Sequence, residues 1–386
     1  MTDLRTPTDP RPPRFGLLFS SARSTGQSDA TVFTRTLALA EEAQSLGLDD
    51  LWVTEHHFSR TTLAPSALAL AAFLLGRCPR IRVGTAVTLL PLHPLVHVAE
   101  QAALLDQLSG GRFTLGVGRG APTTAYEVFA RDRERPDLGD CLDQIRSAWR
   151  SGSRPGGTAH PADRVTPAPL TSGGPPLYVA AGSPGTIAVA GARGMPLMML
   201  FDKTPEAKAE MVALHARAAA AAGRVAHGHD HAFSLLVHVT DSPRRARELM
   251  LDRARRLLRA RPPSGADGGP ERNEEGVRRM AERLLAHQAV GDVDTCTRRL
   301  LGHLRTSGCG RVLCQVEAAD DDAATVRRLR RLATEVLPRV RRALARDAQD
   351  ASPVHVARAD ARADDGDADG AGADRAGHGC PAREVS

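Results

Sequence analysis

A chain of 386 residues can bury a large core, as one large domain or two medium ones. Its formal charge of +6 is spread along its length, aromatic residues make up only 3%, and the one basic cluster (327–332) lies in a helical pattern, which excludes a nucleic-acid surface. The six cysteines form no C-x-x-C pair and no apolar run is long enough to span a bilayer, so a disulfide scaffold, a zinc site and a membrane protein are excluded, and a reducing cytoplasm is expected.

In chain order, the Pro-rich residues 1–14 predict an unstructured arm without the apolar stretch of a signal peptide. Short apolar runs then predict strands at 15–20, 51–56, 81–87, 113–118, 177–182, 197–201, 233–239 and 312–316. Between most of them lie Ala/Leu/Glu-rich segments with helical spacing, such as Val98, Ala102, Leu105 and Leu108. Ser28-Asp29, Thr204-Pro205 and Ser242-Pro243 read as helix starts. A closing helix is expected over about 321–345. Eight strands alternating with helices predict an α/β fold, a (β/α)8 TIM barrel, with a doubly wound open sheet as the runner-up. Insertions interrupt the pattern before strand 5 (151–176) and between strands 7 and 8 (258–290), the second opening with polar, breaker-rich sequence that reads as either a surface excursion or a mobile lid. From 348 to 386 the chain has hardly any apolar residue larger than Ala and is expected to be a disordered tail, leaving 15–347 for the barrel.

Glu55, His56 and His57 end the second predicted strand. In a barrel the C-terminal strand ends converge on the active-site face, so at least one of these side chains should enter the mouth; the plain alternative is a cluster bonded to itself. The fourth strand ends in Gly118-Arg119-Gly120, where bare backbone lets a ligand approach and a guanidinium suits a phosphate. The fifth runs into Gly182, Ser183, Pro184, Gly185 and Thr186 at a helix start, either a cap or an anion cradle. Arg119 beside that turn favours a shared phosphate-bearing cofactor. His93 and His97 flank the turn after the third strand, and Cys314 is expected in the core. The "HGHDH" run at 227–231 falls on the opposite, stabilising face, and no metal is expected.

"GLDDLWVTEHHF", "VGTAVTLLPLHP", "AEQAALLDQLSGGRFTLGVGRG" and "PLYVAAGSPGT", in this order, resemble the bacterial luciferase-like flavin monooxygenases, the alpha subunit more than the beta. "VGDVDTCTRRL" and "GCGRVLCQVEAA" resemble the family's C-terminal segment. The resemblance implies a (β/α)8 barrel holding reduced FMN in its mouth, with His56 at the catalytic position and Glu55 and His57 beside it. It places Arg119 on the FMN phosphate with Ser183 and Thr186 helping, and a non-prolyl cis peptide at Ala86–Val87 beneath the flavin. Residues 258–290 take the place of the family's mobile loop. Gly182 replaces an acidic residue near the phosphate, and Gly118 replaces a reactive cysteine. The implied activity is a two-component monooxygenase: a separate flavin reductase supplies FMNH2, O2 forms a flavin C4a-peroxide, and a small organic substrate is oxygenated. Two alternatives remain at this point: hydride transfer with F420, or a non-catalytic barrel subunit. The nearly all-apolar second helix predicts a homodimer or a heterodimer with a related barrel.

Overall fold

The computed structural model describes residues 11–24, 26–120, 124–129, 137–151, 165–260, 273–318 and 322–350. Most of the expected arm, the tail beyond 350 and the centres of both insertions lie outside these residues. The strands in chain order are β1 (Arg14–Phe19), β2 (Asp50–Val53), β3 (Arg82–Thr85), β4 (Thr88–Leu89), β5 (Phe113–Gly118), β6 (Leu177–Ala180), β7 (Leu197–Met199), β8 (Ala232–Val239), β9 (Ala289–Gly291) and β10 (Arg311–Gln315). All neighbours pair in parallel, in the order β1-β2-β3-β5-β6-β7-β8-β10, and β10 returns to β1 with Arg311 opposite Arg14. The eight predicted strands therefore close into a (β/α)8 barrel, and the open sheet is set aside. The two short strands not expected are accessories, β4 beside β5 and β9 beside β8.

The helices are α1 (Asp29–Ser45), α2 (Ala67–Arg77), α3 (Leu95–Ser109), α4 (Thr124–Val128), α5 (Leu138–Ser151), α6 (Pro184–Ala192), α7 (Pro205–Ala221), α8 (Pro243–Ala260), α9 (Glu274–His287), α10 (Val293–Ser307), α11 (Asp322–Arg331) and α12 (Leu337–Asp350). A π-helical turn, Leu332–Val336, joins the last two. Side-chain oxygens of Ser28, Thr204 and Ser242 accept the orphan N–H groups of Thr31, Ala207 and Arg245, as the sequence predicts for helix starts. On α3, Val98, Ala102 and Leu105 are buried, but Leu108 is 75% exposed, so the apolar period overruns the buried face by one position. The second half of the 258–290 stretch is not a loop: α9 buries Val277, Met280, Ala281 and Leu284. Two compact units divide the chain, Met1–Leu344 and Ala345–Ser386; the barrel belongs to the first, and the described residues of the second are helical.

Residues of alternate parity fill the barrel. Phe15, Leu17, Leu51 and Val53 belong to the large buried cluster that also takes in the helices, while Leu18, Trp52, Tyr178, Met198 and Leu313 form a separate cluster. Trp52 donates its indole N–H to Asp50 Oδ1 at 2.6 Å and meets Tyr178 edge-on with centroids 5.8 Å apart. A Cβ at Gly84 would sit 2.4 Å from the Trp52 ring, so glycine on β3 makes the space that the indole occupies.

The "HGHDH" run ends in His231 at the N-terminal end of the barrel, where its Nδ1 accepts the Leu197 N–H at 2.9 Å. No group of residues arranged to hold a metal occurs among the described residues. Burial, with His215 adding to it, pushes the His231 pKa down to about 3, and protonation at Nδ1 would break the Leu197 bond. Burial likewise lowers His303 to about 4, with Lys208 adding to it. Both values lie below the ordinary imidazole value, so the unfolded chain takes up these protons first and stability falls as pH drops below about 6.5. Urea denaturation between pH 7 and pH 5 should show the loss, up to about 1.4 kcal/mol per pH unit for each residue. A flat profile would contradict this reading of the two histidines.

Candidate active site

At the C-terminal end of β2 the chain turns into a loop tied down on both sides. His56 N–H donates to Ala64 O at 2.8 Å, and Ala22 forms an antiparallel bridge with Thr62. Glu55 is buried, and its Oε1 is 3.2 Å from His57 Nε2 and 2.8 Å from His93 Nε2. The two histidines are thus gathered by one carboxylate, and His93 joins Glu55 from the turn after β4. His97 instead faces solvent on α3, 2.8 Å from Gln101. Glu55 Oε2 and the Thr54 hydroxyl are buried without a hydrogen-bond partner among the described residues, which leaves an acceptor and a hydroxyl for a bound molecule.

His56 is the most exposed residue of this cluster, and its ring has no hydrogen bond among the described residues. Desolvation lowers its pKa, the Arg253 guanidinium lowers it further, and Glu55 opposes both. At pH 7 the imidazole is therefore neutral and can accept a proton.

Across the mouth, Arg119 follows β5 and is exposed, with Nη2 donating to Thr186 Oγ1 at 3.0 Å. Ser183 caps α6: its Oγ accepts the Thr186 N–H at 3.3 Å and lies 3.1 Å from the Thr186 hydroxyl. The Tyr126 hydroxyl donates to Arg119 O and fixes the backbone behind the guanidinium. A guanidinium, two hydroxyls and a helix N-terminus converge here, a combination suited to a phosphate. Nothing lies within 4 Å of where a Gly182 Cβ would be, so that position faces open space beside the cap.

The Ala86–Val87 peptide is cis, and both residues pack against the inner-barrel cluster. A Cβ on Gly118 would come within 2.8 Å of Val87 Cγ2 and 3.2 Å of the Ala180 methyl. The reactive cysteine that Gly118 replaces in the resemblance would crowd Val87 and Ala180 at this position. Gly118→Cys should lower stability by about 1–3 kcal/mol through overpacking, read from urea melts. An unchanged midpoint would show that Val87 yields freely.

Two features of the mouth escape sequence reading. Glu317, two residues past β10, accepts from Ser20 N–H at 2.6 Å, Ser20 Oγ at 2.9 Å and Ala22 N–H at 3.0 Å, and so pins the loop after β1. Its signal was an acidic residue just past a strand's C-terminal end, the same signal that marks Glu55. Arg253 reaches back from α8 to Gln315 at 3.3 Å, and no signal separates it from the other arginines of that helix.

The sequence model of the family described as luciferase-like monooxygenase matches residues 14–309. The chain is similar to the alkanal monooxygenase alpha chain of Photorhabdus luminescens, with 30% identity over 61% of this chain and 67% of that one. It is also similar to the beta chain from the same organism, with 26% identity over 80% of this chain and 94% of that one. Among solved structures it is similar to the oxygenating constituent of 3,6-diketocamphane monooxygenase of Pseudomonas putida in complex with FMN. That match has a TM-score of 0.70 and 20% identity, and covers 85% of this chain and 98% of that one.

Proposed function

We infer, from the premise that this chain belongs to the luciferase-like monooxygenase family and is a flavin-dependent monooxygenase, how its own residues carry the reaction. The flavin in this reading is reduced FMN, delivered by a separate reductase, and the second substrate is O2. The observation that carries it is that Arg119 meets Thr186 at the Ser183-capped N-terminus of α6, a donor set suited to a phosphate. The rest of the mouth supports it: the Ala86–Val87 peptide stands beside the bare Gly118 of β5, and Glu55 Oε2 has no hydrogen-bond partner among the described residues.

Reduced FMN, when bound, supplies the electrons that activate O2. Arg119 and α6 hold the phosphate end and so set where the ring lies. His56, neutral at pH 7, takes a proton from the small organic substrate and returns it later, while Glu55 keeps His57 and His93 in place behind it. The oxygen enters by hydroxylation or by insertion beside a carbonyl. The five described cysteines are free and buried, which suits a reducing cytoplasm, and no helix of the described residues is long and apolar enough to cross a membrane.

A second barrel, identical or related, completes the assembly in this reading. Phe33, Leu37, Leu63, Pro65, Leu70 and Phe73 line an apolar groove between α1 and α2, and Phe73 is 57% exposed.

Anaerobic titration with reduced FMN, followed by mixing with aerated buffer, tests the reading. Bound flavin should outlast free reduced flavin in air and give a spectrum distinct from it. Reoxidation at the rate of free flavin would remove the reading, and a parallel titration with reduced F420 would then decide for hydride transfer.

A further inference from the structure

A guanidinium taken out of water without a counter-ion is costly, so its retention calls for a reason. Arg253, half-buried on α8 with its Nε sealed from solvent, has no carboxylate bonded to it among the described residues. Its Nη2 donates to the neutral Gln315 Oε1 at 3.3 Å, and its guanidinium lies 5.2 Å from the Phe201 ring. Its Nε is shut off from solvent and has no hydrogen-bond partner among the described residues. Glu317, the first of the carboxylates whose charge reaches it, is already committed: its two oxygens serve Ser20 and Ala22, with Arg35 at 3.9 Å. Burial, with Arg256 adding to it, pushes the guanidinium down to about 10, as expected for a cation short of anions. Gln315 ends β10 and Phe201 follows β7, so the guanidinium stands at the same C-terminal strand ends that carry His56 after β2.

That end of the barrel also carries aromatic surface. Phe58 is 62% exposed and Phe129 42%, with ring centroids 6.2 Å apart, and His57 meets Phe129 edge-on at 5.1 Å. Phe58 has φ of +52°, a conformation that side-chain-bearing residues adopt rarely and at a cost, and it holds a large apolar ring in the open.

We propose that Arg253 binds an anionic oxygen of the substrate (carboxylate, phenolate or enolate) and sets it beside His56, while Phe58 and Phe129 receive the substrate's aromatic body. The substrate class is then a planar aromatic acid or an aromatic compound with an acidic hydroxyl. This deepens the monooxygenase reading and rests on it for the reaction, but its test does not. Equilibrium dialysis of the full chain, without flavin, compares 2-naphthoate with its neutral isostere 2-naphthamide. The wild type should bind the anion about ten-fold tighter or more, since a charge-assisted bond to guanidinium is lost in the amide. Arg253→Met should bring the two ligands within about two-fold, and Arg253→Lys, which keeps charge but not the planar fork, should retain part of the preference. Phe58→Ala and Phe129→Ala should weaken both ligands alike.

Separate titration with FMN gives the other arm, and each variant should hold FMN as the wild type does. If Arg253→Met loses FMN while keeping its preference for naphthoate, the guanidinium serves the flavin and the proposal falls. It falls equally if the wild type binds the two ligands alike or binds neither. Should Arg253→Met fail to fold, an undiminished preference in Arg253→Lys together with unchanged affinities in both Phe variants overturns it. Failure of the reduced-FMN titration would leave the dialysis result standing, so the two readings fail separately.

Discussion

His56→Ala is expected to lower turnover by about 10²–10⁴-fold, the usual worth of a positioned acid–base group, while FMN affinity stays within a few-fold. The reasoning is spatial. His56 is the most exposed histidine of the cluster, and the buried Glu55 holds the other two, His57 and His93. Desolvation and Arg253 keep its pKa below the ordinary value, so its neutral form does the work. Activity should then rise with pH through an apparent pKa below about 6.5, as neutral imidazole replaces imidazolium. In the alanine variant that limb should disappear. Product formed per reduced FMN consumed, measured from pH 5 to pH 8, checks both statements. A variant with the parent's rate and pH limb would take His56 out of the mechanism.

Arg119→Met should raise the Kd for FMN by about 30–100-fold, in line with the roughly 2–3 kcal/mol of a charged hydrogen bond to phosphate. Riboflavin has the same ring and no phosphate, and its affinity should hardly change. That contrast separates loss of a phosphate contact from general damage to the mouth. Thr186→Ala should cost less, because Thr186 acts by orienting the Arg119 fork from 3.0 Å. Fluorescence titration of both flavins against the three proteins decides it. Equal losses for FMN and riboflavin would place Arg119 on the ring instead of the phosphate.

The barrel was legible because each of its eight staves is buried over at least three consecutive positions, most of them apolar residues or glycine, and is bounded by turns. β4 and β9, with two and three residues, are too short to show a period, and their pairing depends on neighbours far away in sequence. α9 was hidden by the polar stretch that precedes it, although its apolar stripe is regular. In the site, the residues read from sequence stand at strand ends (Glu55, His56, His57, Gly118 and Arg119) or at the start of a helix (Gly182, Ser183 and Thr186). The Glu55–His93 contact joins positions 38 apart, and the Ser20–Glu317 contact joins positions 297 apart; only closure of the barrel creates them. Arg253 illustrates a different limit. Arginine is so abundant on α8 that position alone carries no signal, and what distinguishes Arg253 is a neutral hydrogen-bond partner and a sealed Nε.

Glu55 also decides where protons reside. A carboxylate only accepts, so both imidazoles that contact its Oε1 must carry hydrogen on Nε2. In their neutral forms, His57 and His93 are therefore confined to the Nε2–H tautomer, and each presents a bare Nδ1 lone pair elsewhere. His56 has no such partner, and its proton is free to sit on either ring nitrogen or to leave. The cluster around Glu55 thus separates into two imidazoles of set polarity, His57 and His93, and one, His56, that can exchange roles. Nitrogen-15 chemical shifts of labelled histidine would distinguish them: two neutral rings in the Nε2–H tautomer, and one averaged between tautomers.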